Sequence, residues 1–231
     1  MIRSAANDNI PVLIPCGAVE YHGPHLPVGA DTLIADTLAD MIEKNCRCIV
    51  MPHIPYSPTY FWAGAPTDGE IVFSSDALYL YAKELFKGLL KVGFRRIYVI
   101  QHHQGQNGAP DVCLKKAAAD VIAEVSKEYG PCWGARLDNK YGDILSAVKV
   151  FQLDSFTECD SNDGMSHAGK LETEIVMQNY GRTVDMSLLT GDIINSKRYL
   201  KNGRPDLADK KHGEKILKKI ADSWIKEINK L

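Results

Sequence analysis

Residues 11–45 read PVLIPCGAVEYHGPHLPVGADTLIADTLADMIEKN, and the order of their parts decides the fold class. The segment from Pro11 to Val19 is an almost unbroken apolar run, the pattern of a strand covered on both faces. From Asp31 onward, Leu33, Ile34, Leu38, Met41 and Ile42 fall at helical spacing. Between the two lies a loop punctuated by Gly and Pro that carries Glu20, His22 and His25 and ends at Asp31. Strand, loop, helix is the opening of a unit built from parallel strands.

The same order recurs along the chain. CRCIVMPHIPY (46–56) predicts a second strand, IVF (71–73) a short one, and SDALYLYAKELFKGLLKVG (75–93) a helix that opens on a capping Ser and closes near a Gly. FRRIYVI (94–100) predicts a third core strand, followed by the polar cluster QHHQGQNG and a helix over 109–130 with Pro110 in its first turn. CWGARLD (132–138) predicts another strand, KLETEIVMQNYG a helix beginning around Lys170, and 206–231 an amphipathic helix interrupted at Gly213. This alternation predicts an α/β sandwich with a mainly parallel sheet, with 1–231 as a single domain. In such folds ligands bind beyond the carboxyl ends of the strands. Both AVEYH and VIQHH follow core strands directly, so two distant segments are expected at one edge.

Composition narrows the function class. With 45% hydrophobic and 24% charged residues, the 231-residue chain can bury a substantial core. A formal net charge of −2 gives no electrostatic reason to expect nucleic acid. No apolar run approaches the ~18 residues of a membrane span and the first residues lack the centre of a secretory signal, so a cytoplasmic protein with no membrane partner is expected. The six cysteines contain no C-x-x-C pair, which predicts scattered thiols rather than a disulfide framework. Trp133 is expected in the core. The aromatic run Tyr60, Phe61 and Trp62 suits either a pocket lining or a subunit interface.

Five of the seven histidines, His22, His25, His102, His103 and His167, fall in three polar segments. If the first strand continues to His22, Glu20 and His22 point to one side of the sheet. Asp31, returning over the strand end, offers two oxygens to two cations. His103 or its neighbour His102 enters from the third strand, and His167 and Glu172 from the later segment. Mixed imidazole and carboxylate ligands favour Zn²⁺, Mn²⁺ or Fe²⁺ over the harder cations. Such ions lower the pKa of bound water to ~7, and a pair ~3.5–4 Å apart can hold a hydroxide against a polarised carbonyl. QGQNG also has the composition of a phosphate-cradling turn at a helix start.

GAVEYHGPHLPVGAD resembles the signature of the creatininase, or creatinine amidohydrolase, family. VIQHHQGQN is similar to that family's strand followed by Asn-Gly-His-Gly-Gly-Asn, and SHAGKLETE to its His-Ala-Gly-x-x-Glu-Thr-Ser motif. The resemblance implies a three-layer α/β/α fold, assembly into homo-oligomers up to hexamers, and two divalent metal ions, zinc foremost with manganese or iron as alternatives. It implies that Glu20, Asp31 and His103 hold one ion and His22, Asp31 and Glu172 the other, with Asp31 bridging. His167 then transfers the proton, and Glu172 joins it as a catalytic residue. The implied reaction is attack of a metal-bound hydroxide on a non-peptide C–N bond of a small cyclic amide, lactam or formamide. The middle motif departs from the family pattern: Gln101, His102 and Gln106 replace its Asn, Gly and Asn. Gly105 stands where creatininase has Glu, Glu174 replaces the family's Ser, and Asp163 stands near the place of a substrate-contacting Trp. Creatinine is therefore not singled out, and a non-catalytic ligand-binding or assembly protein on the same fold is the alternative.

Overall fold

In the computed structural model, which describes residues 2–132, 144–157 and 165–230, four short parallel strands form one sheet. They are β1 (Val12–Cys16), β2 (Ile49–Val50), β3 (Ile97–Gln101) and β4 (Val148–Gln152), in the order β2-β1-β3-β4. Registers are direct, with Val12 opposite Ile97 and Ile97 opposite Val148. The helices are α1 (Ile2–Asn7), α2 (Ala30–Glu43), α3 (Ser75–Val92), α4 (Ala109–Tyr129), α5 (Lys170–Tyr180), α6 (Gly191–Ser196), α7 (Arg198–Gly203) and α8 (Lys210–Ile228).

Alternation along each strand splits the core into two layers. Val12, Ile14, Ile97, Val99, Val148 and Val150 pack with the inner faces of α3 and α4. Leu13, Tyr98 and Ile100 pack on the other side with α2, α5 and α8, where Trp224 donates its indole N–H to the Leu153 carbonyl at 2.7 Å. Both faces of the sheet are covered, and the α/β/α arrangement follows. It is why the strands read as continuous apolar runs rather than as alternating ones.

Several local expectations change. The first strand ends at Cys16, so Glu20 and His22 do not share a strand face. The second keeps only Ile49 and Val50 in regular pairing, plus one bridge between Cys16 and Ile54. Ile71–Phe73 is not a strand: its one ladder-like bond is Ile71 N–H to the Val19 carbonyl at 3.1 Å, and Ile71 and Val72 are exposed. The fourth strand is VKVFQ, in a stretch with no assigned element, because Lys149 interrupts the apolar run that marks the other strands. Most of 132–138, with Trp133, lies outside the described residues, as do Cys159 and Asp163; the other five cysteines are free thiols. Gly213 does not interrupt α8, which runs unbroken from its cap at Asp209. None of the described helices is long and apolar enough to cross a membrane.

Candidate metal centre

The loop after β1 is shaped by two glycines. A Cβ on Gly17 would stand 2.4 Å from the Thr32 amide nitrogen, so only Gly lets the strand end pass against the start of α2. Gly23 turns the chain at a φ of +73°. Glu20 N–H then bonds the Val28 carbonyl at 2.8 Å, closing the loop and bringing Glu20 back beside Asp31. Asp31 sits in the first turn of α2 and Glu172 in the first turn of α5. Both carboxylates therefore lie at helix amino termini, where the helix dipole favours negative charge.

Three groups each place one ligand-type atom per residue within 4.8 Å of the others: Glu20, Asp31 and His103; His22, Asp31 and Glu172; and Glu20, His22 and His167. Asp31 divides its oxygens between two of them. Its Oδ1 lies 2.9 Å from His22 Nε2, and its Oδ2 lies 2.8 Å from His103 Nδ1. His103 Nδ1 is also 3.0 Å from a Glu20 oxygen, and His22 Nε2 is 3.7 Å from Glu172 Oε2. All these residues except His167, which is partly exposed, are buried.

Backbone carbonyls orient the rings. Nδ1–H of His22 donates to the Glu20 carbonyl at 3.0 Å, Nε2–H of His103 to the Pro58 carbonyl at 2.9 Å, and Nε2–H of His167 to the Tyr21 carbonyl at 2.8 Å. A carbonyl can only accept, so each ring turns its other nitrogen toward a carboxylate. Such a contact is satisfied by a shared proton or a shared cation. Burial opposes charge on His22, but Asp31, Glu172 and Glu20 outweigh it and raise its pKa to about 10. His103 likewise loses to burial and gains more from Asp31 and Glu20, reaching about 10. Burial pushes the Asp31 carboxyl upward, while His22 and His103 draw it well below the usual range.

The donor set fits divalent cations. His103 Nδ1 stands 2.8 Å from Asp31 Oδ2 but in poor alignment for a hydrogen bond, so this buried oxygen is not fully satisfied within the protein. Three buried carboxylates also converge with no Lys or Arg among the described residues that line the adjoining cavity. Charges buried this way need partners, and mixed imidazole and carboxylate ligands suit zinc-like ions.

The cavity, about 840 Å³, lies over this cluster and is lined by the aromatic side chains of Tyr60, Trp62, Phe151 and Phe156 and by the amides of Gln104, Gln106 and Gln152. Trp62 and Tyr199 meet the His167 ring edge-on, with centroids 5.3 and 5.1 Å away. Left-handed backbone at Tyr60, Phe61, Gln104, Asn107 and Ala168 concentrates on the loops around the cluster, and strain of this kind gathers at functional sites. The Ala168 amide bonds Glu172 Oε2 at 2.6 Å.

Every residue singled out for the site comes to one place, and sequence reasoning missed two features. His102 points inward together with His103, its Nε2 3.1 Å from Glu172 Oε1. His25 donates Nε2–H to Thr173 Oγ at 3.0 Å, since that hydroxyl gives its own proton to the Gly169 carbonyl. Burial and the neighbouring His22 lower the His25 pKa to about 4, so it is a neutral tie between the loop and α5. Its position in the signature was visible; its partner, 148 residues away, was not.

The model of the family described as creatinine amidohydrolase matches residues 1–228. A 3-dehydro-scyllo-inosose hydrolase from Thermotoga maritima is 29% identical over 108 residues, 46% of this chain and 34% of that protein. A mycofactocin precursor peptide peptidase from Mycobacterium ulcerans is 25% identical over 176 residues, 72% of this chain and 57% of that one. The chain thus spans between about a third and three-fifths of these relatives' lengths. Among solved structures, the manganese form of a creatininase superposes with a TM-score of 0.76 at 16% identity, covering 98% of this chain and 93% of that one. A Zn-Zn type mutant creatininase gives 0.75 at 17%, covering 98% and 92%.

Proposed function

This chain belongs to the creatininase family, and from that premise we propose that it is a metal-dependent amidohydrolase cleaving a non-peptide C–N bond of a small cyclic amide, lactam or formamide. The observation that carries the reading is Asp31, buried and divided between the His22 and His103 groups. Glu20, Asp31 and His103 would hold one divalent ion and His22, Asp31 and Glu172 the other, zinc foremost, manganese or iron as alternatives. Ions so held supply an acidified water and a Lewis acid for a carbonyl oxygen.

The chain's own residues do the rest. Nε2–H of His167 is committed to the Tyr21 carbonyl, so its other nitrogen, Nδ1, 3.6 Å from Glu20 Oε2, would be the one that carries a proton to the leaving nitrogen. Trp62 and Tyr199 hold that ring edge-on. The Ala168 amide keeps the Glu172 carboxylate from rotating away. With no Lys or Arg among the described lining residues, the cavity suits an uncharged polar ring, held by amide side chains and aromatic faces. Residues 1–231 act as one domain, which assembles as a homo-oligomer, up to a hexamer, in the cytoplasm.

Two measurements test this. Metal analysis after reconstitution with Zn²⁺, Mn²⁺ or Fe²⁺ should give two equivalents, and less than one sinks the proposal. Turnover should then appear in a panel of cyclic amides and formamides and vanish in Asp31→Ala; 3-dehydro-scyllo-inosose, the compound in one relative's name, has no C–N bond, and hydrolysis of it alone would overturn the C–N assignment. A protein that keeps two ions and turns over nothing supports the second reading instead, a ligand-binding member, which the unusual run Gln101–Gln106 favours. A monomer by light scattering contradicts the assembly part alone.

A further inference from the structure

Adjacent residues on a strand point to opposite sides, so a His-His pair ordinarily delivers one imidazole to a given site. Here β3 ends at Gln101 and the chain bends at once, with His102 N–H anchored on the Cys16 carbonyl at 2.9 Å. Both rings consequently reach the same cluster from different sides. His103 Nδ1 faces Glu20 and Asp31 Oδ2, whereas His102 Nε2 lies 3.1 Å from Glu172 Oε1 and 3.8 Å from Asp31 Oδ1. The same two carboxylates face His22, Asp31 through the same Oδ1 and Glu172 through its other oxygen, Oε2, so a shared ion would sit between the two Glu172 oxygens. The Ala168 amide already occupies Glu172 Oε2, which leaves Oε1 for the His102 side. His102 is buried and also borders the cavity.

We propose that His102 is a fourth protein ligand to the ion held by His22, Asp31 and Glu172. The two ions then sit in unlike sites, one with two imidazoles and one with a single imidazole from His103. The inference rests on the metal reading above. A second imidazole biases its site toward zinc and away from manganese, which prefers oxygen ligands.

The test uses the full-length protein, stripped with chelator and reloaded with Zn²⁺, Mn²⁺ or Co²⁺ alone. Calorimetric titration of His102→Ala is expected to show one of two zinc sites weakened by roughly 10-fold or more, with manganese affinity changed far less. X-ray absorption of the zinc-loaded variant should count fewer imidazoles per ion, and the visible spectrum of the Co²⁺ form should shift. His102→Gln keeps a hydrogen-bond donor toward Glu172 without an imidazole, and should behave as His102→Ala does. Zinc affinities, imidazole count and Co²⁺ spectrum all unchanged in both variants would make His102 only a hydrogen-bond partner of Glu172 and overturn the proposal. If wild-type protein binds no metal, the functional reading falls with it; if wild type binds two ions and the variants match it, only this inference does. Should His102→Ala fail to fold, the Gln variant alone decides.

Discussion

Asp31 concentrates the electrostatics of the site, because two imidazoles whose pKa values rise to about 10 share its two oxygens. The sign of the pH dependence follows. A group raised from 6.5 to about 10 on folding stabilises the chelated protein fully below its unfolded pKa, and that contribution is lost as pH rises through about 10. Asp31 works the opposite way, its contribution present above the ordinary carboxylate range and lost as pH falls through its depressed value. In chelated protein near pH 8, His22 and His103 are thus protonated, and zinc must displace those protons. Zinc added to weakly buffered chelated protein is expected to acidify the solution, read with an indicator dye; uptake with no proton release would contradict the pairing. His25 is different in kind. Removing its bond to Thr173 in His25→Ala is expected to cost about 1–2 kcal/mol in a urea melt, while the zinc content stays at two equivalents.

Among the elements, the two helix starts that present Asp31 and Glu172 depend on close backbone approaches. Gly17→Ala would drive a Cβ into the Thr32 amide at the start of α2, and is expected to lower both stability and zinc uptake. Gly213 tests the same idea away from the site. Helix propensity alone makes Gly→Ala there favourable by about 1 kcal/mol. Packing reverses the sign, because the added Cβ would stand 2.5 Å from the Glu174 Cβ on α5. Gly213→Ala is expected to destabilise by about 1–3 kcal/mol, seen as a lower urea midpoint with zinc stoichiometry unchanged. Glu174 fastens the same junction, accepting from the Asp209 amide at 2.9 Å and contacting His212 Nδ1 at 2.7 Å. This is how a buried Glu can occupy the position where the resembling motif carries Ser.

At the scale of the whole molecule, binding to the folded state alone stabilises it by mass action. If ions are held as proposed, excess chelator should lower the melting temperature, and zinc at about 1,000 times its dissociation constant should restore roughly 4 kcal/mol. A melting temperature indifferent to both would count against the metal centre. The layered α/β class was legible from residues 11–45 onward, because strands covered on both faces must be apolar throughout and helices must carry a 3.6-residue stripe. The ligand-type residues were legible too, as a local pattern of chemistry after strand ends. β4 was not, since a five-residue strand with Lys149 at its second position has no periodicity apart from its neighbours. The choice between His102 and His103 was equally hidden. It depends on where β3 stops hydrogen bonding and bends, which the register with β1 and β4 decides rather than any property of the two histidines. Local apolar patterning and residue chemistry were enough for the α/β class, for strands covered on both faces and for the kinds of side chain at the strand ends. Only the tertiary structure decided which oxygen of Asp31 meets which ring, that both histidines face inward, and that α5 brings Glu172 to close the cluster, because each requires atoms far apart in the chain to come within a few ångströms.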